Sequence, residues 1–231
     1  MALALALAAV GFLVPTTAPS RHLRAVAPLQ SALPLQTAHA RARRSILPLM
    51  MVSGGSAEEL LNPEGWVESG VSALKKLPAM CQRLNQPVAE AEHVALVLLE
   101  EGGERGMASK ILAAAGANPA SVRQAFEGFA SNQPKVFSSQ QPLEGQLKVG
   151  TSMLTLLQSS SAQRALLTDE YLSAEHVLLA LLNDARCGRQ VLREAVPDLS
   201  QQTLRAAIDL VRGNKRITSR AQEEVYEALD K

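Results

Sequence analysis

The chain has 231 residues, a formal charge of +1, and 47% hydrophobic side chains of which few are aromatic, enough aliphatic surface to build one ordinary core. Abundant Ala and Leu with few β-branched runs favour helix over strand, so the expected fold class is all-α. The near-neutral total hides an asymmetry. Residues 1–57 hold five arginines (Arg21, Arg24, Arg41, Arg43, Arg44) and no acid, leaving 18 basic against 22 acidic residues in the rest, a net of −4, and a body of that sign argues against nucleic acid as a partner.

The first 57 residues read as a targeting presequence and a flexible joint. Ala2–Val14 is an apolar run ending at Pro15, too short to span a bilayer comfortably as a helix. Thr16–Met51 is rich in Ala, Ser, Thr, Pro and Arg and lacks acid, as transit peptides do. A signal-like run followed by a transit-like run is the pattern of a bipartite plastid presequence, with a mitochondrial presequence as the alternative; no membrane insertion of the mature form is expected. Ser53-Gly54-Gly55-Ser56 reads as the joint.

Asn62-Pro63-Glu64 is a helix start signal, predicting a long leading helix to about Asn85. Next comes Ala91-Glu92-His93-Val94-Ala95-Leu96-Val97-Leu98-Leu99-Glu100, which returns 83 positions later as Ala174-Glu175-His176-Val177-Leu178-Leu179-Ala180-Leu181-Leu182-Asn183. A duplicated unit of this kind fixes the architecture more firmly than any single element. Each copy is followed by a Gly-containing turn and a second helix, Met107–Ala115 and Arg189–Ala195. A third follows, Ser121–Ala130 after Asn118-Pro119 and Ser200–Arg212 after Pro197-Asp198, with Asn or Ser as cap. Leu143–Leu166 is the counterpart of the leading helix. The expectation is eight helices in two four-helix repeats: 58–131, a polar linker 132–142, then 143–212, with 213–231 as a further linker. Within each repeated helix the apolar residues share one broad face, so these helices should form the core. Glu90, Glu92, Asp169 and Glu175 lie near their starts, where acids complement the helix dipole, and Ser173 can cap the second copy.

These residues resemble the N-terminal (Clp R) domain of Clp ATPases, and within it that of ClpB-type disaggregases. The likeness rests on the two repeated helices, Leu112-Ala113-Ala114-Ala115-Gly116-Ala117-Asn118, Gln133-Pro134-Lys135-Val136, Arg212-Gly213-Asn214-Lys215, and Glu224-Val225-Tyr226-Glu227-Ala228-Leu229-Asp230-Lys231. It extends from about Leu61 to Lys231. The resemblance implies a module that captures unfolded or aggregated client proteins for a ring-forming motor. It implies client-handling roles for Asp169 and Glu175, and it places Asn62 where the family commonly has a capping Thr. The family lines its groove with apolar residues on the helix before Asp169, whereas this chain reads Ser159-Ser160-Ser161-Ala162-Gln163, which implies weaker or differently tuned client affinity. A free-standing accessory subunit docking on a Clp protease core or its ATPase ring is the alternative.

No catalytic chemistry is expected. The 231 residues contain no Gly-x-x-x-x-Gly-Lys-Ser/Thr phosphate loop, so nothing in this stretch can cradle a nucleotide in that manner. His93 and His176 recur because the unit repeats, with no ligand spacing around them, so neither metal nor cofactor is expected. Cys81 and Cys187 lack a nucleophile motif or a CxxC pairing and read as small apolar side chains.

Overall fold

The computed structural model describes residues 57–136, 147–213 and 215–221. The expected presequence up to residue 56, residues 137–142 of the linker, residues 143–146 of the second repeat and the Glu224–Lys231 segment lie outside the described residues.

The architecture is all-helical. The first half contributes α1 (Ala57–Leu60), α2 (Glu68–Lys75), α3 (Leu77–Leu84), α4 (Ala91–Glu100), α5 (Met107–Ala114) and α6 (Pro119–Ser131). The second contributes α7 (Thr151–Leu167), α8 (Ala174–Leu181), α9 (Gly188–Ala195) and α10 (Gln201–Arg212). Two short strands, β1 (Val88–Ala89) and β2 (Lys148–Val149), and two 3-10 turns, Pro63–Gly65 and Gly103–Arg105, complete the described elements.

The leading helices differ from the expectation. In the first half the continuous helix over 62–85 is broken into pieces. Asn62 caps only a 3-10 turn, Pro63–Gly65, its Oδ1 accepting from the Glu64 amide at 3.0 Å. Trp66 and Val67 are then extended, and the helix restarts at Glu68. It breaks again at Lys76, because Pro78 has no N–H for the Leu74 carbonyl and its ring would press on that oxygen. In the second half the helix begins at Thr151, since Lys148 and Val149 are committed to a strand.

Those extended residues knit the halves together. β1 pairs in parallel with β2, Val88 opposite Lys148 and Ala89 opposite Val149, so the residues before α4 bond to those before α7. The reciprocal link is a parallel bridge between Trp66 and Leu172, before α2 and α8. The third helices add contacts across the halves: α6 packs on α4 of its own half and on α9 of the other, and α10 packs mainly on α5. The repeats are therefore tied to each other by strand pairing and by helix packing in both directions.

α4 and α8 meet at the centre. Val94–Leu99 and Val177–Leu181 are buried on every side, not along one stripe, and each such Val or Leu contributes about 1.5–3 kcal/mol on burial. Their polar starts are capped internally, though His93 Nε2 is buried without a hydrogen-bond partner. His93 Nδ1 accepts from the Glu90 amide and His176 Nδ1 from the Ser173 amide, each at 3.0 Å, while the Glu90 and Ser173 side chains accept from the N3 backbone amides in return. This is a reciprocal capping box with histidine in place of the usual Glu or Gln, and it explains why a histidine recurs in both copies.

Candidate functional site

Two features converge near the start of α8: a buried ionic network and a cleft. The network starts from His176. A backbone amide can only donate, so His176 Nδ1 is the acceptor and its proton sits on Nε2. That N–H donates to Asp169 Oδ2 at 3.0 Å. Arg212 Nη1 donates to Asp169 Oδ2 and to Glu175 Oε2, each at 2.9 Å. Asp169 Oδ1 accepts from the Ile217 amide at 2.8 Å. All four side chains are buried, Asp169 and His176 completely.

The charges follow from these partners. Burial alone would raise the Asp169 carboxyl, but hydrogen bonds from His176, the Ile217 amide and Arg212 outweigh it and hold the group below its ordinary value. Burial lowers His176, against the pull of Asp169, and the Arg212 and Arg164 charges lower it further. Burial opposes the Arg212 charge, yet its bond to Asp169 and the Glu175 charge leave it raised. Asp169, Glu175 and His176 bring ligand-type atoms within 4.8 Å of one another, a clustering that their spacing in the chain conceals. Arg212 already supplies the balancing positive charge, so the group is a salt-bridged network in which the guanidinium takes the cation's place.

The first half keeps only the acid–arginine part of the scheme, since His93 Nε2 and Gln86 Oε1 are buried without partners. Glu92, also buried, accepts two bonds from Arg186 of the second half, Nε at 2.9 Å and Nη2 at 2.8 Å. Gln86 stands 83 positions before Asp169 and gives its amide N–H to the Ala130 carbonyl at 2.6 Å. Cys81 and Cys187 are buried; burial, aided by the Glu92 charge, pushes the Cys81 thiol up to about 11, and burial with the Asp184 charge raises Cys187 as well. Neither is a ready thiolate.

The histidines give stability a pH dependence. Both are lowered from 6.5, chiefly by burial, so the unfolded chain binds more protons below that value and stability falls as the pH drops through it. The urea midpoint is expected to be lower at pH 5.5 than at pH 7.5, with a shallower fall in His176→Gln. A midpoint unchanged across that interval would contradict the capping geometry.

The cleft, about 330 Å³ in volume, lies between α2, the turn before α5, and the first turn of α8. Leu98, Met107 and Ala174 form its apolar floor, and Glu68, Ser72, Arg105 and Lys110 its rim. Its remaining wall is Arg220 and Ala221, from the segment after α10. Of the residues expected to handle clients, none lines this space. Asn62 caps the 3-10 turn, and Asp169 and Glu175 lie in the network beneath. Ser159 and Ser160 of α7 are not free donors either: they donate to the Thr155 and Leu156 carbonyls at 2.9 and 2.8 Å. Arg212 was not among the expected site residues; the signal for it is its spacing four residues on from Leu204 and Ile208, which places a charge on the apolar stripe of α10, where it demands a partner.

Comparison with known proteins agrees with this architecture. The chain is 35% identical over 170 residues to chaperone protein ClpB 1 of Synechocystis sp., covering 74% of this chain and 18% of that protein. It is 38% identical over 146 residues to the mitochondrial chaperone protein ClpB4 of Arabidopsis thaliana, covering 63% and 14%. It thus spans less than a fifth of the length of these relatives. Among solved structures, the Hsp104 N-terminal domain of Candida albicans has the same fold, with a TM-score of 0.55 at 16% identity over 68% of this chain and 98% of that one. Residues 71–195, which hold both repeated helices and the strands that tie them, match the model of the Clp repeat (R) N-terminal domain, and the chain belongs to that family.

Proposed function

We propose that this chain is the client- and partner-binding N-domain of a ClpB-type chaperone, taking up exposed apolar segments of unfolded or aggregated proteins and performing no catalysis itself. The observation that carries this reading is the cleft, where an apolar floor is framed by acidic and basic side chains. An extended segment can bury apolar side chains against Leu98 and Met107 while its backbone and polar groups meet the rim. The ClpB names of the relatives support the choice of chaperone class. A domain of the same fold has been solved as a complex of the ClpV N-domain with a VipB peptide. In this reading Asn62, Asp169 and Glu175 serve client handling by positioning the cleft walls rather than by touching the client. Relatives named mitochondrial and chloroplastic both occur; the signal-like run before the transit-like run favours a plastid.

The purified chain is expected to bind reduced, carboxymethylated α-lactalbumin at least about tenfold more tightly than the native protein, a difference of about 1.4 kcal/mol, measured by fluorescence anisotropy. Equal affinity for the two forms would overturn the client-binding reading. Stoichiometric recovery of Clp protease-core subunits with the chain, in place of unfolded protein, would assign it to the accessory class.

A further inference from the structure

We infer that the segment Lys215–Ala221 is a strap whose docking builds the cleft, so that client binding and strap docking are thermodynamically coupled. This inference rests on the client-binding reading.

The segment carries no helix or strand of its own, yet it is fastened along its length. The Arg216 guanidinium donates to the Thr168 carbonyl, its Nε at 2.7 Å. Ile217 is buried, its amide donating to Asp169 Oδ1 at 2.8 Å while its carbonyl accepts from the Glu170 amide at 2.9 Å. Farther on, the Arg220 carbonyl accepts from the Glu68 amide at 3.0 Å, and the Arg220 guanidinium donates to the Trp66 and Pro63 carbonyls at 3.2 Å each. The strap thus crosses from the end of α7 to the start of α2, over the Trp66–Leu172 bridge that joins the halves. Its far end, Arg220 with Ala221, is a wall of the cleft.

Asp169 therefore has two duties. Oδ2 belongs to the buried network and Oδ1 to the strap, so a buried carboxylate that never reaches the cleft still fixes one of its walls. An undocked strap removes Arg220 from the rim and frees the Glu68 amide at the start of α2. A client seated in the cleft favours the docked state, and by linkage docking raises client affinity by the same factor. The apparent affinity scales with the docked fraction.

Asp169→Ala also strips Arg212 and His176 of a partner and so tests folding as much as docking. The informative variants are Arg216→Ala and Ile217→Pro, which loosen the strap at residues that do not line the cleft. Each is checked for an unchanged helical circular dichroism spectrum. The expected result is a dissociation constant for reduced, carboxymethylated α-lactalbumin raised about 5-fold or more. In Arg216→Ala, saturating probe should slow hydrogen exchange at the Glu170 amide, which the strap protects and the cleft does not touch. Dissociation constants equal to wild type in both variants, with Glu170 exchange indifferent to the probe, overturn the coupling and leave the function standing. No binding of the probe to wild type overturns the function reading and this inference with it.

Discussion

Arg212→Ala is expected to lower the unfolding free energy by about 3–5 kcal/mol, the cost typical of removing one partner from a buried ion pair. The guanidinium bonds Asp169 and Glu175 at once, each at 2.9 Å, with 5% of its own side chain exposed. Without it, two carboxylates face each other in a site with little access to water, and either one takes up a proton or water enters. His176 loses nothing directly, but the Asp169 oxygen that holds its Nε2 proton is no longer anchored. A shift in melting temperature on the order of 10 °C should accompany the change. Trp66, the single tryptophan, is fully buried with its indole N–H on the Leu60 carbonyl at 2.9 Å, so its fluorescence can follow the transition in urea. A loss below about 1 kcal/mol, the range of an exposed pair, would show that the network does not carry the second half.

Gly188→Ala should cost about 2–3 kcal/mol, as overpacking against an unyielding neighbour does. A β-carbon at Gly188 would lie 2.9 Å from the Leu181 carbonyl carbon and closer still to its oxygen, and that neighbour is backbone at the end of α8. The glycine cannot retreat, because Asp184 Oδ2 accepts from the Cys187 and Gly188 amides at 2.8 and 2.9 Å and caps α9 there. Gly106 meets the Glu101 backbone in the equivalent turn of the first half, which is why both repeats carry a glycine after the central helix. Gly128, exposed within α6 with nothing within 4 Å of a β-carbon, supplies the contrast: Gly128→Ala should stabilise by about 0.5–1 kcal/mol. Chemical denaturation of the two variants separates close backbone approach from helix propensity. Equal and small effects at both positions would refute the packing of α9 against α8.

The central helices were readable because the same residues return in register, and long apolar runs permit little besides a buried element. The third helices were readable from their caps: Asn118 accepts from the Ala120 and Ser121 amides at 2.9 and 3.3 Å, and Ser200 from the Thr203 amide at 3.0 Å. Pro78 carried a break signal, but the strong start at Asn62-Pro63 drew the whole leading segment into one helix. β1 and β2 are two residues each, too short for alternation to register. Packing of the third helices across the halves was illegible for a different reason. A repeat defines the unit, while which copy a helix packs on depends on contacts between distant parts of the chain. Asp169 and Glu175 were visible as acids before and within the first turn of a helix, which the dipole accounts for equally well; their engagement with Arg212 closes loops of 43 and 37 residues that no local pattern encodes.

The most direct test of the cleft as the client site is site-specific photo-crosslinking with a benzophenone side chain at Ser72, on the rim, or at Gln190 of α9, which does not line it. With reduced, carboxymethylated α-lactalbumin the Ser72 position is predicted to give a strong adduct that unlabelled competitor abolishes, and the Gln190 position none. Adducts of equal yield at both positions, or at Gln190 alone, would contradict the account.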